Sequence, residues 1–174
     1  MLPVALHNTG HAMVRLMRIR AGVRMTCVIG EPIVIKDDDD LAAIKLARKH
    51  ARTKLGAKGT PVIITALNSF HGRTLAAITA TGQPKYQENF GPLPGGFEYT
   101  PYNDIDALKA LVKKINGGLN PFRRRSLAAI MLEPLQGEGG IRPGERAFFE
   151  AARAIADETG ALLMFDEVRA RARA

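Results

Sequence analysis

Four apolar runs of the sequence each end in polar side chains whose types could do chemistry together. An imidazole and a guanidinium, His71 and Arg73, follow PVIITAL, and the polar Pro-Tyr-Asn triplet follows FEYT. The acids Glu133 and Glu138 follow LAAIML, and Asp166 directly follows ALLMF. A carboxylate at the end of an apolar run is costly to bury alone, so Asp166 is expected to have a cationic or hydrogen-bonding partner.

Two kinds of chemistry find little support in the surroundings of these residues. Ser69, His71 and Asp166 could suggest nucleophilic hydrolysis, but no G-x-S-x-G turn is present and Ser69 lies too close in sequence to His71. A metal site of His71, Glu133 and Asp166 would need ligands from three strand ends and has no spacing signature. Structural roles stay open for His71 as the start of a helix and for the GEGG run around Glu138 as a turn.

Helical patterns alternate with the apolar runs between residues 41 and 168. Apolar residues recur at helical spacing in four segments: LAAIKLARKHARTK, GRTLAAITATG, DIDALKALVKKI and RPGERAFFEAARAIADETG. Gly82 is expected to stop the second helix and Asn103 to cap the third. Four apolar strands separated by helices predict a three-layer α/β fold, a mostly parallel sheet with helices on both faces. The polar clusters are then expected at one edge, because ligands bind beyond the carboxyl ends of such strands.

The two ends of the chain carry weaker patterns. Residues 1–40 are predicted to be a poorly structured leader; their first 25 residues are rich in Arg and free of acids, so an organellar transit peptide is the alternative. Residues 169–174 repeat Arg-Ala and carry no fold signal. The predicted organisation is therefore a leader, one α/β domain over residues 41–168, and a low-complexity tail.

The composition limits the partners and the compartment. The formal net charge is +8, but the one basic run in the body, Arg123 to Arg125, is not paired with a reading element, so nucleic-acid binding is not predicted. No apolar stretch approaches the length of a membrane helix, so no membrane partner is predicted. Cys27 is the only cysteine, which suits the reducing cytoplasm.

Three long stretches of the sequence resemble one known family: NSFHGRTLAAITATGQPKYQENFGPLPGGFEYTPYND, EPLQGEGGI and LLMFDEV. In residue type, order and separation they are similar to class III pyridoxal-phosphate aminotransferases, and acetylornithine aminotransferases are the nearest branch. The resemblance covers about residues 42–168. It implies part of the large domain of the type I fold and a pyridoxal 5'-phosphate cofactor.

The resemblance implies how five residues would hold that cofactor. Asp166 would pair with the protonated ring nitrogen and so keep the ring an effective electron sink. Phe70 would stack on one face of the ring, and Val168 would press on the other. His71 and Glu133 would lie beside the cofactor as supporting groups.

The resemblance also implies substrates and a reaction. Arg73 would bind a substrate carboxylate through its planar fork, and Glu138 would lie near the substrate side chain. The implied enzyme is a homodimer that transfers an amino group from N-acetylornithine to 2-oxoglutarate in arginine biosynthesis. Ornithine or 4-aminobutyrate aminotransferase is the alternative within the family.

The catalytic lysine of the family has no counterpart in this sequence. In the family a lysine forms the resting Schiff base and moves the proton, but here no lysine follows Lys114. No catalytic residue is therefore assigned, and the chain alone is expected to be inactive. A non-catalytic, truncated product is the corresponding alternative to an enzyme.

Overall fold

The structure, a computed structural model, describes residues 17–19, 23–25, 33–35, 40–117 and 125–167. Its strands are β1 Met17–Ile19, β2 Val23–Met25, β3 Ile33–Ile35, β4 Thr60–Ala66, β5 Phe97–Thr100, β6 Arg125–Leu132, β7 Leu135–Gln136, β8 Arg142–Pro143 and β9 Leu162–Asp166. Its α-helices are α1 Asp40–Thr53, α2 Leu75–Ala80, α3 Ile105–Asn116 and α4 Arg146–Thr159. A short 3-10 helix, Pro84–Tyr86, follows α2.

Five strands form one parallel sheet in the order β3-β9-β6-β4-β5. The central strand β6 pairs with β9 on one side and with β4 on the other, so that Ile130 lies opposite both Leu163 and Ile64. Because the strands are parallel, the segments that follow β4, β5, β6 and β9 leave the sheet at the same edge. The predicted polar clusters therefore start from one edge, as expected for a parallel sheet.

Helices cover both faces of this sheet. Along β4, Val62 and Ile64 point into a core shared with α3 and α4, whereas Ile63 points into a second core shared with α1 and α2. Fully buried side chains such as Phe148 fill the first core. The arrangement of helices, sheet and helices confirms the predicted three-layer α/β fold.

The described part of residues 1–40 contains more regular structure than the sequence suggested. We expected a poorly structured leader, but three short strands lie within it. β1 and β2 form an antiparallel pair, and β3 joins the main sheet beside β9, with Ile35 opposite Asp166. The backbone of β3 therefore lies next to the strand that carries Asp166. A three-residue strand is too short to give a periodic pattern, which is why it escaped prediction.

Two helix ends differ from the sequence-based expectation. Asp104, not Asn103, caps α3: its side chain accepts a hydrogen bond of 2.8 Å from the backbone N–H of Ala107. Asn103 instead adopts a left-handed backbone with φ of 65°, and its amide bonds to Pro143 O and the Glu145 N–H at the start of α4. The prediction for Asn103 was wrong because the capping bond lies one residue later.

Gly82 was expected to stop α2, but Thr81 caps the end of this helix instead. The helix ends at Ala80, and the hydroxyl and N–H of Thr81 both bond to the carbonyl of Ala77. Gly82 is needed instead because a Cβ there would lie 2.1 Å from Ala66 O. The chain after α2 thus runs directly against the end of β4.

Candidate functional site

The loop after β4, residues 67–74, brings the first group of predicted site residues to the sheet edge. Asn68 turns the chain with a left-handed φ of 62°, and the next loop residue, Ser69, is fully buried. Phe70 is half-buried and His71 is 1% exposed. The chain can make this turn because Asn tolerates a positive φ better than most residues.

His71 and Asp166 form a buried pair at this edge. The Nδ1 atom of His71 lies 2.9 Å from Oδ2 of Asp166, and the carboxylate residue is 6% exposed. An ionised carboxylate only accepts hydrogen bonds, so Nδ1 is the donor in this pair. The partner expected for Asp166 on electrostatic grounds is therefore present. The imidazole also fixes which way the carboxylate points.

Glu133 connects the end of β6 to the same loop. Its Oε2 accepts a hydrogen bond of 3.3 Å from the backbone N–H of Phe70, and the residue is 3% exposed. The hydroxyl of Tyr102, at the end of β5, donates to the carbonyl of Glu133 at 2.6 Å. Burial, more than the charge of Glu133, raises the pKa of Tyr102 well above its usual value. Tyr102 therefore stays a neutral hydrogen-bond donor. Its bond to Glu133 and the bond of Glu133 to Phe70 connect the segments that follow β4, β5 and β6.

Arg73 lies beside aromatic rings at the outer side of the loop. Its guanidinium carbon is 5.9 Å from the centre of the Phe70 ring, and the edge of Tyr86 contacts the same ring at 5.2 Å between centres. The ammonium of Lys85 lies 4.9 Å from the Tyr86 ring. Two exposed cations and two rings thus share this part of the surface, which suits a ligand that is planar and anionic.

Glu138 occupies a more exposed position than the other predicted residues. It lies in the turn of the β7–β8 hairpin, next to Gly139. A Cβ on Gly139 would lie 2.7 Å from Asn68 O, so the turn packs directly on the loop after β4. The buried side chain of Gln136 donates a 3.0 Å hydrogen bond to Leu67 O and fastens the hairpin there. The hairpin thus places Glu138 at the sheet edge that carries the loop after β4.

Four further expectations concern Val168, Ser69, metal binding and membrane spanning. Val168 lies outside the described residues. The hydroxyl of Ser69 accepts a 3.0 Å hydrogen bond from the Gly82 N–H inside the protein, which is a structural role. Among the residues that the structure describes, no group of three or more His, Cys, Asp or Glu could hold a metal ion, and no helix is long and apolar enough to cross a membrane.

Several polar residues that support the site had no signal in the sequence that singled them out. Thr81 and Gln83 bond to the loop after β4, Tyr86 contacts Phe70, and Gln136 holds the hairpin. Their partners are mostly backbone atoms distant in sequence, which no spacing pattern reveals. Gln136 lies in the EPLQGEGGI stretch quoted above, but neither its type nor its spacing assigned it a role.

The site residues fit the ring of the family's cofactor. A protonated pyridine ring needs a fixed carboxylate at its nitrogen and an aromatic or apolar contact on its face. The buried carboxylate of Asp166, held by His71, and the half-buried ring of Phe70 supply these two groups at one sheet edge.

The sequence is similar to known aminotransferases over most of its length. Residues 40–171 match the family "Aminotransferase class-III". Acetylornithine aminotransferase of Thermosynechococcus vestitus is 60% identical over 128 residues, which are 74% of this chain and 30% of that protein. The acetylornithine aminotransferase of Synechocystis sp. is 57% identical over 128 residues, 74% of this chain and 29% of that protein. The chain thus spans about 30% of the length of these relatives.

Solved structures agree with this relationship. Ornithine aminotransferase from Toxoplasma gondii superposes with a TM-score of 0.65 at 27% identity, over 91% of this chain and 32% of that one. N-acetylornithine aminotransferase from Stenotrophomonas maltophilia gives a TM-score of 0.55 at 32% identity, over 76% of this chain and 28% of that one. With the match over residues 40–171, the similar relatives and the fold in agreement, this chain belongs to the class III aminotransferase family.

Proposed function

We propose that this chain forms part of the cofactor site of an acetylornithine aminotransferase. The complete enzyme would transfer an amino group from N-acetylornithine to 2-oxoglutarate with pyridoxal phosphate, in arginine biosynthesis. One observation carries the proposal: the buried His71–Asp166 pair lies at the same sheet edge as Phe70. The curated relatives support the acetylornithine branch in particular.

In the proposed site each residue has a distinct task toward the cofactor ring. When bound, pyridoxal phosphate supplies an electron sink for the substrate's amino-bearing carbon. Asp166 would hold a proton on the ring nitrogen, and His71 fixes the direction in which the carboxylate points. Phe70 covers one face of the ring, and Val168 is proposed to cover the other. Glu133 accepts a hydrogen bond from the backbone N–H of Phe70 and so helps to fix the position of the Phe70 ring.

For the substrates, the proposal assigns recognition to two charged residues. Arg73 binds the carboxylate of the amino acid or the 2-oxo acid, because a guanidinium matches a carboxylate with two parallel hydrogen bonds. Glu138, carried by the β7–β8 hairpin, lies near the substrate side chain.

An ornithine-type aminotransferase is the second candidate. The Toxoplasma gondii ornithine enzyme superposes on this chain with a TM-score of 0.65, against 0.55 for the Stenotrophomonas maltophilia N-acetylornithine enzyme, which supports this alternative. The two differ in whether the substrate's distal amine is acetylated.

We further propose a homodimer in the cytoplasm, a compartment that suits a chain whose only cysteine is Cys27.

The test of the proposed site is the affinity of the full chain for pyridoxal phosphate. Asp166→Asn removes the negative charge while keeping the size of the side chain. A charge-assisted hydrogen bond contributes about 1.5–3 kcal/mol, so the dissociation constant should rise roughly 10- to 150-fold. Binding is measured by the visible absorbance of the cofactor after equilibrium dialysis.

Glu167→Gln is the matched control, because it removes one carboxylate from the next position, which is only half-buried. Its affinity should stay close to that of the wild type. Equal affinities of the Asp166 and Glu167 variants, or no binding by the wild type, would contradict the proposed role of this sheet edge.

A further inference from the structure

The three residues that follow α2, Thr81 to Gln83, hold the loop that carries Phe70 and His71. We call them the TGQ segment. All three are buried, and each makes a hydrogen bond to the loop after β4. The N–H of Gly82 donates to the hydroxyl of Ser69 at 3.0 Å, and the amide of Gln83 donates to the carbonyl of Ser69 at 3.0 Å. The TGQ segment thus restrains the loop through buried hydrogen bonds.

Thr81 makes the contact that lies nearest to the proposed chemistry. Its Oγ1 accepts a 2.9 Å hydrogen bond from the backbone N–H of His71 and donates a 3.0 Å hydrogen bond to Ala77 O. The side chain is fully buried. One hydroxyl thereby ties His71 to the last turn of a packed helix, and it uses its proton and a lone pair in doing so.

The position of the His71 ring depends on this backbone bond. The ring reaches Asp166 from a loop that contains a left-handed residue, Asn68, and a glycine with φ of 114°, Gly72. Such a loop is not held by a regular helical or strand hydrogen-bond pattern, so the His71–Asp166 distance of 2.9 Å depends on other contacts that fix the loop backbone. A bond to the His71 N–H itself restrains the residue at the point from which its side chain starts.

We infer that Thr81 is a positioning residue: through the His71 N–H it sets the imidazole against Asp166. The role of the imidazole in holding a cofactor rests on the proposed function. The effect of Thr81 on the imidazole does not, because both partners belong to this chain. Gln83 and Gly82 restrain the neighbouring Ser69, whereas Thr81 acts on His71 directly.

The test compares three variants of the full chain. Thr81→Val keeps the shape of the side chain and removes the hydroxyl. Thr81→Ser keeps the hydroxyl and serves as the rescue. Thr79→Val is the matched control, because the hydroxyl of Thr79 makes the same bond to a helix carbonyl, that of Leu75, at 2.7 Å in the same helix.

The readout is the nitrogen spectrum of the His71 imidazole together with amide hydrogen exchange. In Thr81→Val the Nδ1–H signal of His71 should move or broaden, and the exchange of its amide should become about tenfold faster, as expected for a lost buried hydrogen bond. Thr81→Ser and Thr79→Val should match the wild type in both measurements. A general loss of stability would change Thr79→Val as well.

Three results would overturn the inference. The first is an unchanged imidazole signal in folded Thr81→Val, and the second is an equal change in Thr79→Val. The third result applies if Thr81→Val does not fold. In that case the inference is overturned if the His71 amide of the wild type exchanges as fast as exposed amides do. Titration with pyridoxal phosphate separates the two proposals, because absence of binding by the wild type refutes the proposed function and leaves the imidazole result standing.

Discussion

Replacement of Gly82 by alanine is the sharpest test of how the site loop is built. A Cβ at residue 82 would lie 2.1 Å from Ala66 O and 2.9 Å from Leu67 Cα. Both are backbone atoms at the end of β4, so neither can move aside as a flexible side chain would. The chain must separate from the strand to accommodate a single methyl group.

The cost follows from the bonds that this separation breaks. The N–H of Asn68 donates to Gly82 O at 2.9 Å, and the N–H of Gly82 donates to the buried hydroxyl of Ser69 at 3.0 Å. Each lost bond costs about 1 kcal/mol, and more where a buried partner stays unsatisfied. Overpacking adds about 1–3 kcal/mol. We therefore expect Gly82→Ala to lower the free energy of unfolding by about 3 kcal/mol or more.

Urea denaturation of the full chain measures this change. Gly95→Ala is the control, because no atom lies within 4 Å of a Cβ built there, and it should change the free energy of unfolding by less than about 0.5 kcal/mol. Amide exchange at Phe70 and His71 should increase in Gly82→Ala alone. A loss below 1 kcal/mol in Gly82→Ala, or equal losses in the two variants, would refute the packing of residue 82 on β4.

Three other perturbations test the core, a helix cap and the end of β6. Phe148→Ala empties a fully buried position and should cost about 3–5 kcal/mol in urea denaturation. Asp104→Ala removes the α3 cap and should cost about 1 kcal/mol by the same assay, with Asp104→Asn close to wild type. Because the folded-state pKa of Tyr102 is raised, its contribution is present below about pH 10 and lost as the pH rises further, so Tyr102→Phe should flatten the fall in stability above pH 10.

Each of these has an outcome that contradicts it. A loss under 1 kcal/mol for Phe148→Ala would mean that the first core does not enclose this ring. An equal free energy of unfolding for Asp104→Ala and Asp104→Asn would argue against the cap. Tyr86→Phe, in the 3-10 turn, is the control for Tyr102; parallel pH curves for Tyr102→Phe and wild type would show that the buried hydroxyl is not the titrating group.

The sheet and its helices could be predicted because their patterns are local. The runs that became β4, β6 and β9 are predominantly apolar, since both faces of a parallel sheet are covered. The long helices α3 and α4 carry apolar residues at helical spacing. From this alternation the common edge followed, but not which of its polar groups pair, as His71 and Asp166 do in the structure.

What escaped prediction depends on contacts between distant parts of the chain. β3 has only three residues and is defined by its pairing with β9. Gly82 is required by the carbonyl of Ala66, and no local pattern reveals such an approach. Thr81 resembles any helix-ending threonine until its hydroxyl is seen to accept the His71 N–H.

The most direct test of the account is the protonation state of the cofactor's ring nitrogen on this chain. Pyridoxal phosphate labelled with nitrogen-15 in the ring would be bound to the wild type and to Asp166→Asn, and its nitrogen resonance recorded near neutral pH. We predict a protonated ring nitrogen in the wild type and an unprotonated one in Asp166→Asn. Identical resonances in the two proteins would contradict the pairing of Asp166 with the cofactor.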